Sequence, residues 1–199
     1  MLADFITLVS EIFPSVDPKT ATRCLTQLAR GNFDPASLFR ASAFDFLAQG
    51  DIIEPVRFVT TDDDGQEYQY SGPGLLISNS CDAEYEEHVI FAACYPLDVL
   101  LDGKVADEPT IRSNRIFNLL FLPLLGPNQR GLVTDLSFLQ SHSRTFLSRS
   151  LFQGTAKKTC SLSDWGFYLL LAKLSVHLVR PETPEVIRGP KEAQTDGQQ

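Results

Sequence analysis

Residues 50–77 read GDIIEPVRFVTTDDDGQEYQYSGPGLLI, and the fold turns on them. Ile52, Ile53, Val56, Phe58 and Val59 are strand formers, and Pro55 among them marks an edge strand or a bulge. Asp62-Asp63-Asp64-Gly65 spells a turn whose glycine is free to take a positive φ. Tyr68 and Tyr70 alternate with Gln69 on the returning arm. Ser71-Gly72-Pro73-Gly74 reads as a second break, after which Leu75-Leu76-Ile77 forms a short buried strand.

Outward from this stretch the texture stays β-rich on the C-terminal side. His88 to Cys94 reads as another strand. A polar loop from Asp98 to Thr110 precedes Ile116 to Leu125, a continuous apolar run expected to be a central strand. Gly126-Pro127-Asn128 is a turn, Gly131 to Leu136 returns as a strand, and Ser141 to Leu151 reads as a short helix. Ser161 or Ser163 caps a longer helix from Asp164 to about Val179, whose acidic start suits the helix dipole. Lys173, His177 and Arg180 share one expected exposed face of it. Trp165, Phe167, Leu170, Leu171, Leu174 and Leu178 supply the apolar surface that packs on the sheet.

On the N-terminal side the chain reads as helical. Leu2, Phe5, Ile6, Val9, Ile12 and Phe13 recur at helical spacing up to Pro14. Asp17-Pro18 and Asp34-Pro35 are helix starts, and Gly31 sits where a helix ends. Cys24 falls on the apolar stripe and reads as core. The expected organisation is a helical extension over 1–49, a β-rich domain over 50–180 and a disordered tail over 181–199. The expected class is α+β: a small antiparallel sheet or barrel closed by a C-terminal helix.

Gly50-Asp51-Ile52-Ile53 and, after a loop, Gly72-Pro73-Gly74-Leu75-Leu76-Ile77-Ser78-Asn79 resemble the PemK/MazF-like pattern. In that pattern a first strand opens on Gly-Asp and a second carries a stretch such as Arg-Pro-Ala-Leu-Val-Leu-Ser-Asn. Val89 to Tyr95, followed by Pro96, is similar to the family's third strand. Gly131-Leu132-Val133 through Arg144 is similar to its later strand and the basic residue after it. The resemblance spans roughly residues 50–179 and implies an SH3-like barrel. It also implies a bacterial toxin–antitoxin or defence setting, with single-stranded RNA cleavage as the family activity. The family has a Thr-Ser pair after the proline; here Leu97-Asp98 stands there. Its first loop carries a basic residue; here Thr61 to Glu67 is acidic. Ser78-Asn79-Ser80-Cys81-Asp82 extends the Ser-Asn end with a Cys-Asp pair the pattern does not require.

Composition bounds the chemistry. With 43% hydrophobic and 21% charged residues over 199 positions, the chain can bury a core of ordinary size. Cys24, Cys81, Cys94 and Cys160 lack zinc or disulfide-framework spacing and read as reduced thiols of a cytoplasmic protein. Met1-Leu2-Ala3-Asp4 does not open a signal peptide, and no apolar run is long enough to span a bilayer, so no membrane partner is expected. The net charge of −8 is uneven: residues 51–110 hold 14 acidic and 2 basic side chains, whereas residues 111–180 hold 9 basic and 2 acidic. Either the two blocks pair within the fold, or the basic one presents a polyanion-binding face.

The candidate site residues follow. Cys81 is a candidate nucleophile, with His88 close in sequence as its base and the adjacent Asp82 as a further catalytic candidate. Ser78 and Asn79, at the end of the expected strand, are candidate binding residues; in the bland alternative the Asn and Asp side chains of this stretch merely bond the backbone of a turn. Arg112, Arg115, Arg130 and Arg144, with Arg149, Lys157 and Lys158, could contact RNA phosphates through the 111–180 segment. His142 with Asp135 could pair as acid and base, although a surface histidine is the commoner case. No cofactor or metal is expected, since Cys81, Asp82, Glu84, Glu86, Glu87 and His88 match no ligand spacing. The expected function is a non-catalytic or degenerate PemK/MazF-like module binding a protein or RNA partner. The alternatives are a single-strand RNA endonuclease with an altered active site, a Cys81-dependent hydrolase, and a structural subunit that docks or oligomerises through its N-terminal helices.

Overall fold

The computed structural model describes residues 17–30, 34–123 and 130–179. The helix expected over Leu2–Phe13, the residues Gly31 and Arg180, the turn at 126–128 and the tail lie outside the described residues.

The opening stretch folds as an antiparallel hairpin of β1 (Ile52–Thr61) and β2 (Glu67–Leu76), with Thr61 opposite Glu67. The Asp62 carboxylate closes the turn by accepting from the N–H groups of Asp64 (3.0 Å) and Gln66 (2.8 Å), and Gly65 takes a φ of 80°. Pro55 sits at a bulge inside the sheet, where the register slips between Ile53 and Val56. The expected second break is absent: β2 runs straight through Ser71–Gly74. Those glycines answer to crowding. A Cβ on Gly72 would lie 2.2 Å from the Tyr70 hydroxyl, and one on Gly74 would press on Val56 and Phe91 at 3.0–3.1 Å.

Four further strands complete one sheet: β3 (His88–Pro96), β4 (Leu119–Leu122), β5 (Leu132–Ser143) and β6 (Lys157–Cys160). All pairs are antiparallel, in the order β4-β5-β3-β2-β1-β6. The apolar run at 116–125 therefore supplies an edge strand of four residues, not a central one. The Asn114 amide caps that edge: its Oδ1 accepts from Phe121 N–H (2.7 Å) and its Nδ2 donates to Phe121 O (3.2 Å). β5 absorbs Ser141–Ser143, which the sequence reading assigned to a helix. Its helix, α5 (Arg144–Phe152), starts only where the Ser143 hydroxyl accepts from Phe146 N–H.

The other helices are α1 (Pro18–Arg30), α2 (Ser80–Tyr85), α3 (Leu97–Asp102), α4 (Glu108–Arg112) and α6 (Asp164–Val179). The expected polar loop at 98–110 thus holds α3 and α4. Asp17 caps α1 as expected, through the N–H groups of Lys19 and Thr20. Asp34 starts only a 3-10 turn, Pro35–Leu38.

Both sheet faces are covered. On one, Leu170 and Leu174 of α6 pack with Ile52, Leu75, Ala92, Leu120 and Leu136. On the other, Phe58, Leu76, Val89 and Phe91 pack with Ala83 of α2 and Leu147 of α5. Burial on both sides explains why these strands read as apolar runs. α1 lies on α6 through Ala21, Cys24 and Tyr168, so Cys24 is core.

The fold is therefore α+β, with a six-stranded antiparallel sheet and helices at both ends, but strand pairing does not close it into a barrel. Among the described residues no ladder joins the end strands β4 and β6. The sheet curls instead. Phe58 of β1 meets Phe138 and His142 of β5 at ring-centroid distances of 5.5 and 5.8 Å, and Val59 N–H donates to the Gln140 side chain at 2.8 Å. Register slips in β1 and in β5, between Asp135 and Leu139, produce the bend.

Asp51 is fully buried just ahead of β1. Its carboxylate accepts from Ala48 N–H (2.8 Å) and the Ser161 hydroxyl (2.5 Å), and pairs with Lys158 Nζ at 2.7 Å. Lys158 also donates to the carbonyls of Phe44 (2.9 Å) and Phe46. Removing one partner strands the other charge in the core. Lys158→Met is expected to cost about 3–5 kcal/mol in urea unfolding. In a double-mutant cycle, Asp51→Asn with Lys158→Met is expected to lose less than the two single losses added.

Candidate functional site

The polar end of β2 serves the backbone. The Ser78 hydroxyl accepts from Ile90 N–H (2.8 Å), Asn79 Oδ1 caps α2 through Cys81 N–H (2.9 Å), and the Ser80 hydroxyl accepts from Gln49 N–H (3.0 Å). Cys81 and Asp82 stand exposed on the first turn of α2, and His88 is exposed at the start of β3, opposite Ser143. Among the described residues no hydrogen bond or ion pair joins Cys81, Asp82 and His88. Arg144 does come to this end: its Nε donates to Glu86 O (2.7 Å) and its N–H to Glu87 O (2.9 Å).

The basic residues are spread out. Arg144 sits beside His88 at one end of the β3–β5 ladder. Arg130 flanks the other end, where Pro96 pairs with Leu132, about 25 Å away at strand rise. There Arg130 pairs with Asp98 (2.6 Å) and Glu108, while Arg112 pairs with Glu108 (2.7 Å) and lies over the Phe121 ring at 5.0 Å. Lys157 reaches Glu54 at 3.9 Å, and Lys158 belongs to the Asp51 knot. Of the predicted bases, Arg112 and Arg130 thus share one acidic partner, and Arg115 lies on the next turn of chain.

Two clefts escape the sequence reading, and they flank the same segment, residues 114–119. The first, of about 350 Å³, is lined by Tyr95 of β3, Val99 and Leu100 of α3, Val105, Ile116, Asn118 and Asp135. Its polar wall is ordered: Asn118 Nδ2 donates to the Ser137 hydroxyl (3.1 Å), and Asp135 Oδ1 accepts from Ser137 N–H (2.9 Å). Burial and the Asp135 carboxylate push the Tyr95 phenol above its ordinary range. Val99 and Val105 remain more than half exposed at its mouth. Just after Pro96, where the resemblance expects Thr-Ser, Leu97 is fully buried and Asp98 pairs with Arg130.

The second cleft, of about 250 Å³, lies between α6 and the turn through Asn114, Arg115 and Phe117. Lys173 and His177 correct the expectation of an exposed face. Lys173 is only 7% exposed and donates to Ile116 O at 2.5 Å; burial alone pulls its ammonium down to about 8. His177 stacks on Phe117 at 5.8 Å, with its Nδ1 buried and without a hydrogen-bond partner.

His142 is also half-buried and not a surface residue. It lies edge-on to Phe58 (5.8 Å) and Phe91 (5.6 Å), and burial lowers its pKa. Asp135 pairs four residues further along β3, roughly 13 Å away at strand rise, so the two are no acid–base couple. Among the described residues no cluster of three or more His, Cys, Asp and Glu could hold a metal, and no helix is long and apolar enough to cross a membrane. The sequence matches no protein-family model, and no curated protein matches it significantly.

Two measurements check these placements. Burial raises Cys24 and pushes Cys160 to about 11 and Cys94 to about 12, while Cys81 is exposed. Iodoacetamide at neutral pH is therefore expected to label native protein at Cys81 first, as read by peptide mass. For His142 the folded state holds its proton less tightly than the unfolded one. Its contribution to stability is complete above the unfolded value near 6.5 and is lost as pH falls through the lowered folded value. Urea midpoints are expected to drop on acidification through that window, and His142→Phe is expected to flatten this part of the profile.

Proposed function

We propose that this chain is a non-catalytic binding module of PemK/MazF-like, SH3-like descent. It takes an apolar side chain of a protein partner in the Tyr95–Asp135 cleft, in a bacterial toxin–antitoxin or defence-type system. The observation that carries the binding role is the chemistry of that cleft. An apolar bowl with exposed valines at its mouth sits above a Tyr95, Asn118 and Asp135 wall, the mixture that fixes a partner's orientation. The antiparallel β1–β2–β3 meander and the β1–β6 pairing support the descent. Against catalysis stands the Pro96–Asp98 corner, which offers no free hydroxyl. Against a broad polyanion face stands the ion pairing of Arg112 and Arg130.

Two assays test this reading. Purified chain is expected to leave single-stranded RNA uncut over hours. Co-expression with the product of a neighbouring gene is expected to give a complex that Val99→Glu with Val105→Glu dissolves. Robust RNA cleavage abolished by a single substitution would overturn the proposal in favour of the nuclease alternative. A complex indifferent to the two valines would move the interface elsewhere and overturn the assignment of the cleft.

A further inference from the structure

The cleft between α6 and the Asn114–Phe117 turn plays no part in that proposal. Its walls are Leu169, Ala172 and Val176 on the helix side and Phe117 on the turn side, and its two charged linings, Arg115 and Lys173, are both cationic. Among the described residues no Asp or Glu lines it. Lys173 is more than nine-tenths buried, and among those residues its one hydrogen bond goes to a neutral carbonyl, Ile116 O. An ammonium can make three such bonds, so among the described residues two donors remain unused. Arg115 is exposed and, among the described residues, has no salt-bridge partner. One turn further along α6 comes the buried, unpaired Nδ1 of His177. Burying a cation without a countercharge is unfavourable, and leaving polar atoms dry and unpaired adds to the cost.

We propose that this cleft binds a small carboxylate with an apolar body, its anionic head between Arg115 and Lys173 and its body against Phe117, Leu169, Ala172 and Val176. The guanidinium fork matches a planar carboxylate, and the apolar walls select against inorganic anions, which have no surface to bury. A volume near 250 Å³ suits a ligand of about ten non-hydrogen atoms, for which affinity is set largely by the charged contact. The depressed ammonium of Lys173 fits such a role, because an arriving carboxylate favours the charged form.

The test uses the full chain labelled with ¹⁵N and titrated with phenylacetate, with neutral phenylacetamide and with inorganic phosphate. Phenylacetate is expected to give saturable shifts in residues 114–117 and 169–177, and to bind on the order of tenfold more tightly than the amide or phosphate. Arg115→Gln, a change at an exposed position, is expected to weaken phenylacetate on the order of tenfold without moving the thermal midpoint. Calorimetry in two buffers of different ionisation heat, near the Lys173 value of about 8, is expected to show proton uptake on binding. Lys173→Met should abolish that uptake. Absence of saturable shifts, equal binding of the amide, or phosphate binding as tightly as phenylacetate would each overturn the proposal. Because these readouts do not involve the Tyr95–Asp135 cleft, their failure leaves the protein-binding assays unaffected.

Discussion

One buried carboxylate holds the two halves of this chain in register. Asp51 gathers Ala48 from the segment before the sheet, Ser161 from the turn before α6, and Lys158 from the last strand. Lys158 then reaches on to the carbonyls of Phe44 and Phe46, and Ser161 accepts from Phe44 N–H at 3.1 Å. Each group satisfies another's need, so no charge is left dry. The consequence reaches beyond the pair. The knot seats β6 against β1 just ahead of α6, and α6 packs on one face of the sheet. Its Leu170 and Leu174 meet strands from both ends of the sheet order.

The open sheet manages its edges without closing. β6 is short, and beyond its lysines it has the Thr159 hydroxyl on Ile52 O at 3.1 Å as a further tie to β1. β4 offers its outer edge to a single residue, and the Asn114 side-chain amide stands in for the neighbouring strand. This is a sparing way to satisfy an edge, since one residue supplies both donor and acceptor. It also places the 114–119 segment along the sheet border, where a cleft forms on either side of it.

What could be read from residues alone was local. Asp-Pro starts, the DDDG turn and the apolar run from Asp164 to Val179 report on the chain within a few residues, and the structure places a turn, a strand boundary or a helix at each. What could not be read depends on distant neighbours. Ser71–Gly74 carries every mark of a break, yet it is strand, and a Cβ at Gly72 or Gly74 would crowd Tyr70, Val56 and Phe91. Lys157–Cys160 has no apolar run of its own, and it is a strand where β1 lies beside it. Lys173 and His177 share a helix face, which spacing shows correctly. The α6 sequence, however, is apolar nearly all the way round, and such a helix is covered on more than one side. That signal was present and pointed to burial of its few polar residues.

The site residues divide along the same line. In the Ser78–His88 stretch the polar groups that drew attention are consumed by their own backbone: Ser78 on Ile90, Asn79 on Cys81, Ser80 on Gln49. Ser78, Asn79 and Ser80 thus end a strand and begin a helix, while Cys81, Asp82 and His88 stand exposed beside them. In the two clefts the balance is reversed. Among the described residues Lys173 lines one cleft with a single hydrogen bond, the His177 Nδ1 lies buried and unpaired further along the same helix, and Tyr95 and Asn118 line the other cleft. Segment 114–119, the wall between them, is fastened from three directions: Asn114 to Phe121, Ile116 to Lys173, and Asn118 to Ser137. A wall held that firmly with cavities on both sides is what a preorganised binding surface requires, because little ordering is then left to oppose the ligand.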